Sequence, residues 1–263
     1  MAAENKFGRM SELRLETEYR EGQTILSDVF FTAPFKVMQP FRISDDLIQV
    51  MALTASAGIM EGDLQKLDIH VKEGSKLEYL SQAYEKIHRM KEGQAKRNTT
   101  LRVEKNAFLK YAPLPTIPFK DSAFENHMEV ELADDSAKLL FQEILSAGRV
   151  ACGEAFAYRF FHNRVAARKE GKLIYLDNSR YEPEMFDMSG CGMYEGYTHL
   201  LNLVFFNMER SSQWAGQVRE LLEEETEMQG AVSRISSGDY MVRILGKGSE
   251  PLLNISKKIQ ALE

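Results

Sequence analysis

LTASAGIMEGDLQKLDIHVKEGSKLEYLSQAYEKIHRM, residues Leu53–Met90, decides how the rest of the chain is read. Gly58-Ile-Met-Glu-Gly-Asp63 has the glycine and acidic composition of a turn. Beyond it Leu67, Ile69 and Val71 alternate with Lys66, Asp68, His70 and Lys72. That period of two predicts a strand with one buried face. Glu73-Gly74-Ser75 turns the chain, and Leu77, Tyr79 and Ser81 begin a second strand that runs toward His88. Carboxylates and a histidine fall near strand ends, with no nucleophile-and-base arrangement. The stretch suits a protein that holds or passes something more than one that breaks bonds.

The same pattern extends outward. Residues 11–20 place Leu13, Leu15, Thr17 and Tyr19 on one face and Glu12, Arg14, Glu16 and Glu18 on the other. After Gly22, a strand is predicted over 24–31, and others over 99–103, 107–111, 127–132, 138–145, 154–165 and 172–178. Short strands at similar spacing, with turns at 105–107 and 133–136, predict a mainly β fold. Ala112-Pro-Leu-Pro-Thr-Ile-Pro-Phe119 is too rich in proline for a central strand, because proline lacks the ladder donor. It reads as an extended surface turn and rigid connector, with room for a cis bond.

The C-terminal quarter changes period. Trp214, Val218, Leu221 and Leu222 share one helical face in 212–227. A two-strand return over 231–235 and 240–245 follows, then a second helix with Ser249 as N-cap, Glu250 and Pro251 in its first turn, and Leu252, Ile255, Ile259 and Leu262 as its apolar stripe. No internal repeat or low-complexity linker divides the sequence, so residues 1–263 read as one domain.

At 263 residues the chain can bury a sizeable core. A net charge of −6 argues against nucleic acid as the main partner. Residues 1–9 lack the apolar core of a signal peptide, and the longest apolar run, 200–206, is interrupted by Asn202 and too short to span a membrane. A cytoplasmic setting follows, with Cys152 and Cys191 as free thiols. They are expected to be small buried residues and not zinc ligands, since no CxxC or HxxxH pattern accompanies them.

Gly246-Lys-Gly-Ser249 imitates part of a phosphate loop, but Met241 and Arg243 stand where the leading glycine would have to be. The five histidines are dispersed, and none pairs with another at helical spacing. His70 reads as a solvated strand histidine. Glu143 differs: it shares a face with Leu139, Phe141 and Leu145, while Leu140 and Ile144 fill the other. A carboxylate in a strand apolar on both faces must be paired, hydrated or ligating. Two readings stand, an internal pair with Arg149 or a water-lined functional site. Asp63, Glu85 and Asp177 each fall at a strand end or turn, where oxygen ligands suit transient divalent binding.

Seven segments carry a resemblance: FFTAPFKVMQPF (30–41), LTASAGIMEGD (53–63), LSQAYEKIH (80–88), NAFLKYAPLPTIPF (106–119), ILSAGRVACGE (144–154), YEGYTHLLNLV (194–204) and GKGSEPLL (246–253). In this order they resemble the urease accessory protein family UreD, called UreH in some bacteria. The PFKVMQPF and GSEPLL forms are closest to the UreH branch. The resemblance implies a β-rich, superhelical (β-solenoid-like) fold with two helices and no catalytic activity. It implies a scaffold that binds a UreF-like protein and apo-urease, meets a UreG-like GTPase through the former, and assists nickel delivery to the urease active site. It further implies an internal polar passage, for which Asp63, Ser81, Glu85, Glu143 and Asp177 are the matching lining candidates. His88 joins them from its position in the strand reading. Nickel is then in transit: no stable metal site and no tightly bound cofactor are expected. The rivals are a carboxylate-dependent hydrolase on a β-rich scaffold, which requires two carboxyls facing each other in an open cleft, and a pure adaptor with no metal path.

Overall fold

The computed structural model describes residues 10–262. Residues 1–9, read above for the absence of a signal sequence, lie outside the described residues. The chain is mainly β, with two α-helices in its last quarter, α1 (Trp214–Glu223) and α2 (Ser249–Ala261).

Two large sheets face each other. The first contains seven strands in the spatial order Lys172–Tyr181, Phe160–Lys169, Ala123–Leu132, Ala95–Val103, Leu64–Val71, Met10–Arg20 and Gln23–Phe31. Its five inner strands run parallel, and only the two flanking pairs are antiparallel. The second sheet has a parallel centre, Leu47–Thr54, Lys76–Gln82, Phe108–Tyr111 and Lys138–Ser146. His199–Phe206, Tyr240–Gly246 and Met228–Arg234 extend it in antiparallel fashion. From Leu47 to Lys169 the long strands alternate between the two sheets. The turn at Gly74 (φ +73°) therefore carries the chain across to the opposite sheet and does not close a hairpin.

This layering explains the hydrophobic patterns. Leu13, Leu15, Leu67, Ile69, Leu101, Met128, Val130 and Val165 of the first sheet pack against Val50, Leu77, Leu109, Leu139 and Phe141 of the second. The outer face of the second sheet is covered by both helices: Leu140, Ile144, Leu201, Leu203 and Phe205 meet Trp214, Val218, Leu252, Ile255 and Ile259. Lys138–Ser146 and His199–Phe206 are thus buried on both sides, so their sequences are nearly continuous apolar runs. The outer face of the first sheet is charged, with Asp68 paired to Arg102 and Glu129 to both Arg164 and Arg168. His70 lies on this polar face, as expected, but it is half-buried between Glu104 (2.7 Å) and Glu16 (3.4 Å) instead of solvated.

Several expectations need correction. The expected strand over 154–165 is broken: Glu154–Ala155 pairs locally with Gly148–Arg149, and the long strand begins only at Phe160, after Phe156 adopts φ +53°. The proline-rich segment is not a surface turn. Pro115 and Pro118 are buried, and Thr116–Pro118 forms a short strand between Glu85–Ile87 and the end of Lys138–Ser146. Among the described residues the cis peptide bond is Ala33–Pro34, outside that segment. Cys152 and Cys191 are free thiols, but both are exposed, because they sit in turn-rich segments outside the sheets. Ser249 is the first helical residue; the extended Gly248 precedes it as N-cap, with no side-chain cap.

Gly58 shows how closely the turn of the opening stretch approaches its neighbour. At φ +145°, a Cβ there would stand 2.3 Å from the Lys86 carbonyl oxygen and 2.9 Å from the His88 ring. The bridge between Ile59 and Ile87 lies directly beside this approach, with the Ile59 amide on the same Lys86 carbonyl at 2.8 Å. Gly58→Ala is therefore expected to lose at least about 1–3 kcal/mol from backbone strain alone, seen as a lower urea midpoint.

Candidate functional site: a polar ladder inside the sheets

Strand register places a row of polar side chains on the inward face of the first sheet, where the core would otherwise continue. Ser11 pairs with Gln65, Gln65 with Arg97, Arg97 with Asn126, Asn126 with Asn163, and Asn163 with Ser179. Each occupies an apolar-face position: Asn126 falls between Phe124 and Met128, and Asn163 between Phe161 and Val165. The second sheet answers with its own rung, in which Glu143 pairs with Asn202 and Asn202 with Arg243. An interior cavity lies between the two rows. It is lined by Arg97, Asn126, Glu143, Asn163, Asp177 and Asn202, together with Tyr79, Tyr111 and other residues. The volume open to water centres is about 70 Å³, several times the roughly 10–15 Å³ that one water needs. The Asn126 side-chain oxygen is buried without a protein partner, and a water in the cavity would satisfy it.

The hydrogen bonds connect the rows. The Asn126 amide donates to Asn163 Oδ1 (2.7 Å), and the Asn163 amide donates to Glu143 Oε2 (2.9 Å). Burial pushes the Glu143 carboxyl up to about 7, and the neighbouring negative charge of Asp177 adds to this; hydrogen bonds from Asn163 and Asn202 and the charge of Arg243 act in the opposite direction. Asp177 accepts from Ser179 Oγ (2.5 Å) and from Arg243 Nη2 (2.6 Å), while Arg243 Nε donates to Asn202 (2.8 Å).

Toward the other end of the ladder, Arg97 donates to Gln65 Oε1 from Nε (3.0 Å) and to Glu85 Oε2 from Nη1 (2.6 Å), with Nη2 also on Glu85. Its guanidinium lies over the Phe124 ring at 5.7 Å. Burial opposes the Arg97 cation, but Glu85 beside it prevails and raises its pKa. Tyr79 and Tyr111 stack at 5.2 Å, and burial raises both phenols. Ser81 Oγ accepts the Leu114 amide (2.8 Å) from the proline-rich segment, which thereby becomes part of the cavity wall.

Of the six residues singled out from sequence, the structure brings Ser81, Glu85, Glu143 and Asp177 to this cavity. Asp63 and His88 lie elsewhere. Asp63 closes its own turn, accepting the Met60 amide at 2.8 Å. His88 Nε2 bonds to the Ala57 carbonyl at 2.9 Å, and its ring stands edge-on to Phe119. Arg149 is not the partner of Glu143; it pairs with Glu154 and covers Phe119, because the short Gly148–Ala155 hairpin turns it outward. Asp177 is not at a strand end, since that strand continues to Tyr181. The hydrolase reading needs an open cleft, whereas Glu143 and Asp177 face an interior space and Asp177 is held by Arg243. Among the described residues, no group of three or more His, Cys, Asp or Glu side chains is placed to hold a metal ion, and no helix is long and apolar enough to cross a membrane.

Sequence reading missed Arg97, Asn126, Asn163, Asn202 and Arg243. One available signal was a polar residue at an inward position, such as Asn126 between Phe124 and Met128.

The sequence matches the family described as UreD urease accessory protein over residues 9–263. It is 42% identical over 261 residues to the urease accessory protein UreH of Helicobacter pylori (strain HPAG1), covering 98% of this chain and 96% of that one. It is 37% identical over 257 residues to the urease accessory protein UreD of Acetivibrio thermocellus, covering 97% and 98%. The corresponding protein UreH of Helicobacter hepaticus is 34% identical over 256 residues, covering 97% and 99%. The match spans both sheets and both helices, so the chain belongs to the UreD family of urease accessory proteins, which is non-catalytic.

Proposed function

We propose that this chain is a single-domain, superhelical maturation scaffold in the cytoplasm that binds a UreF-like protein and apo-urease. A UreG-like GTPase reaches it through the UreF-like partner. Nickel then travels to the urease active site as cargo along the interior polar ladder. The observation that carries this reading is the in-register row of polar side chains between two apolar sheets. An apolar core would pack at lower cost there, since each buried polar group needs its own partner. Conduction also favours dispersed, partly satisfied oxygen ligands over a closed cluster, which would trap the ion.

The protein surface supports the scaffold half of the reading. The two edge strands of the first sheet carry exposed apolar side chains: Val29, Phe30 and Phe31 at one edge, Leu173 and Leu176 at the other, with Met185 and Phe186 beyond. Contiguous exposed apolar groups on strand edges favour protein partners.

Glu143→Leu tests the passage, because it removes the central carboxylate without adding a charge. It is expected to lower the nickel content of urease several-fold in cells, while the UreF-like protein and urease still co-purify with the variant. Full nickel loading would overturn the passage. Loss of co-purification would assign Glu143 a structural role and favour a pure adaptor.

A further inference from the structure

Arg243 occupies a distinctive place. A surface pocket lined by Tyr194, Gln229, Leu245 and Arg243 lies beside the interior cavity, and the two share Tyr181 and Leu200 as common wall. Asp177 and Asn202 face the interior side, and Arg243 lines the surface pocket. The guanidinium is tied to both interior residues, to Asp177 at 2.6 Å and Asn202 at 2.8 Å. The Arg243 side chain remains 45% exposed while Asp177 is only 10% exposed. A permanent cation therefore stands between the surface pocket and the interior carboxylates.

We propose that Arg243 is a displaceable electrostatic latch between the surface pocket and the interior carboxylates, so that a divalent cation reaches Asp177 and Glu143 only by taking the place of the guanidinium. This rests on the passage reading given above and adds the regulation of its mouth. Two features suit Arg243 to this work. Its charge balances Asp177 when no cation is present, which keeps the site from holding a metal ion permanently. Its length and exposure let it swing into the surface pocket without unpacking the core, since Val242 and Ile244, not Arg243, face the helices. Asn202 then serves as a second anchor that returns the guanidinium to one position.

The test is equilibrium dialysis of the full chain against Ni²⁺ alone, with the wild type compared with Arg243→Gln and Arg243→Lys. Arg243→Gln removes the competing cation but keeps a hydrogen-bond donor, and is expected to bind Ni²⁺ about 10–100-fold more tightly, the range typical of changes to groups that hold a ligand. Arg243→Lys restores the charge and should return affinity to the wild-type level. Adding Glu143→Gln to Arg243→Gln should abolish the gain. Equal affinity of folded Arg243→Gln and wild type would overturn the latch, as would a gain that Arg243→Lys shares. If Arg243→Gln does not fold, Arg243→Met is the second charge-removing variant, with the same expectation. The passage is judged separately: reduced urease nickel in Glu143→Leu with unchanged Ni²⁺ affinity in Arg243→Gln means that only the latch fails. Full loading in Glu143→Leu means that the passage itself fails.

Discussion

Replacing Arg97 with methionine is expected to destabilise the protein by about 3–5 kcal/mol, the cost of removing one partner from a buried ion pair. Arg97 and Glu85 side chains are 12% and 21% exposed, so neither charge is well solvated once its partner is lost. Methionine retains much of the stem volume and the contact with Phe124, so the loss isolates charge from packing. Glu85 would be left beside the cavity with its countercharge removed, and Gln65 would lose its donor. The double variant Arg97→Met with Glu85→Gln should recover most of the loss, because no unpaired charge then remains. Arg97→Lys should recover only part of it, since an ammonium cannot reproduce the fork that serves Glu85 and Gln65 together. Urea unfolding of the four proteins checks this. A loss no larger for Arg97→Met than for the double variant would show that packing, and not charge, governs the position.

The second large effect is a pH profile. A carboxyl raised in the folded protein contributes stability that is fully present below its unfolded value and lost as pH rises through its folded value. For Glu143 these limits are the ordinary 4.5 and about 7. The shift corresponds to about 3 kcal/mol lost on passing from acid to neutral pH. Glu143→Gln removes this slope and can still accept from Asn163, so above pH 7 the variant should be the more stable protein by up to that amount. His199 works in the opposite direction. Burial lowers it to about 4, so its contribution is present above its ordinary 6.5 and lost as pH falls. The two slopes oppose each other in the wild type between pH 4.5 and 6.5. In Glu143→Gln the His199 slope should emerge, with urea midpoints climbing steadily across that interval. A variant whose midpoints parallel the wild type from pH 5 to 8 would mean that Glu143 is ionised throughout.

The two predictions also mark what the sequence could and could not disclose. Strands with one wet face, such as Met10–Arg20 and Leu64–Val71, announce themselves by alternation. Glu143 was legible because one carboxylate in a two-sided apolar run is an anomaly wherever the strand sits. Its partners were not legible. Asn202 and Arg243 reach it through antiparallel register, and Asn163 reaches it across the gap between sheets. Neither relation leaves a local trace, so the sequence offers only nearby Arg149 as a candidate partner beside the water-lined reading. Asp63 and His88 lie away from the cavity for the same reason: a polar residue beside a strand looks alike in sequence whether it faces a cavity, its own turn as Asp63 does, or a neighbouring loop as His88 does. The short strands at 35–37, 85–87 and 116–118 have too few residues to show any period.

The crossing of the chain between sheets has a consequence for how the protein is made. Leu67 pairs with Thr99, Thr99 with Met128, and Met128 with Val165, so each new strand of the first sheet lies against the one completed just before it. Folding can follow synthesis from the N-terminal side, each turn of chain using the previous one as its template. The last step is different. His199–Phe206 pairs with the edge of Lys138–Ser146, and the two helices, completed after it, cover the face that bears Leu140 and Ile144. Until then a nascent chain displays Leu140 and Ile144 on a bare outer face, from the completion of residue 146 until Leu252 and the rest of the second helix emerge.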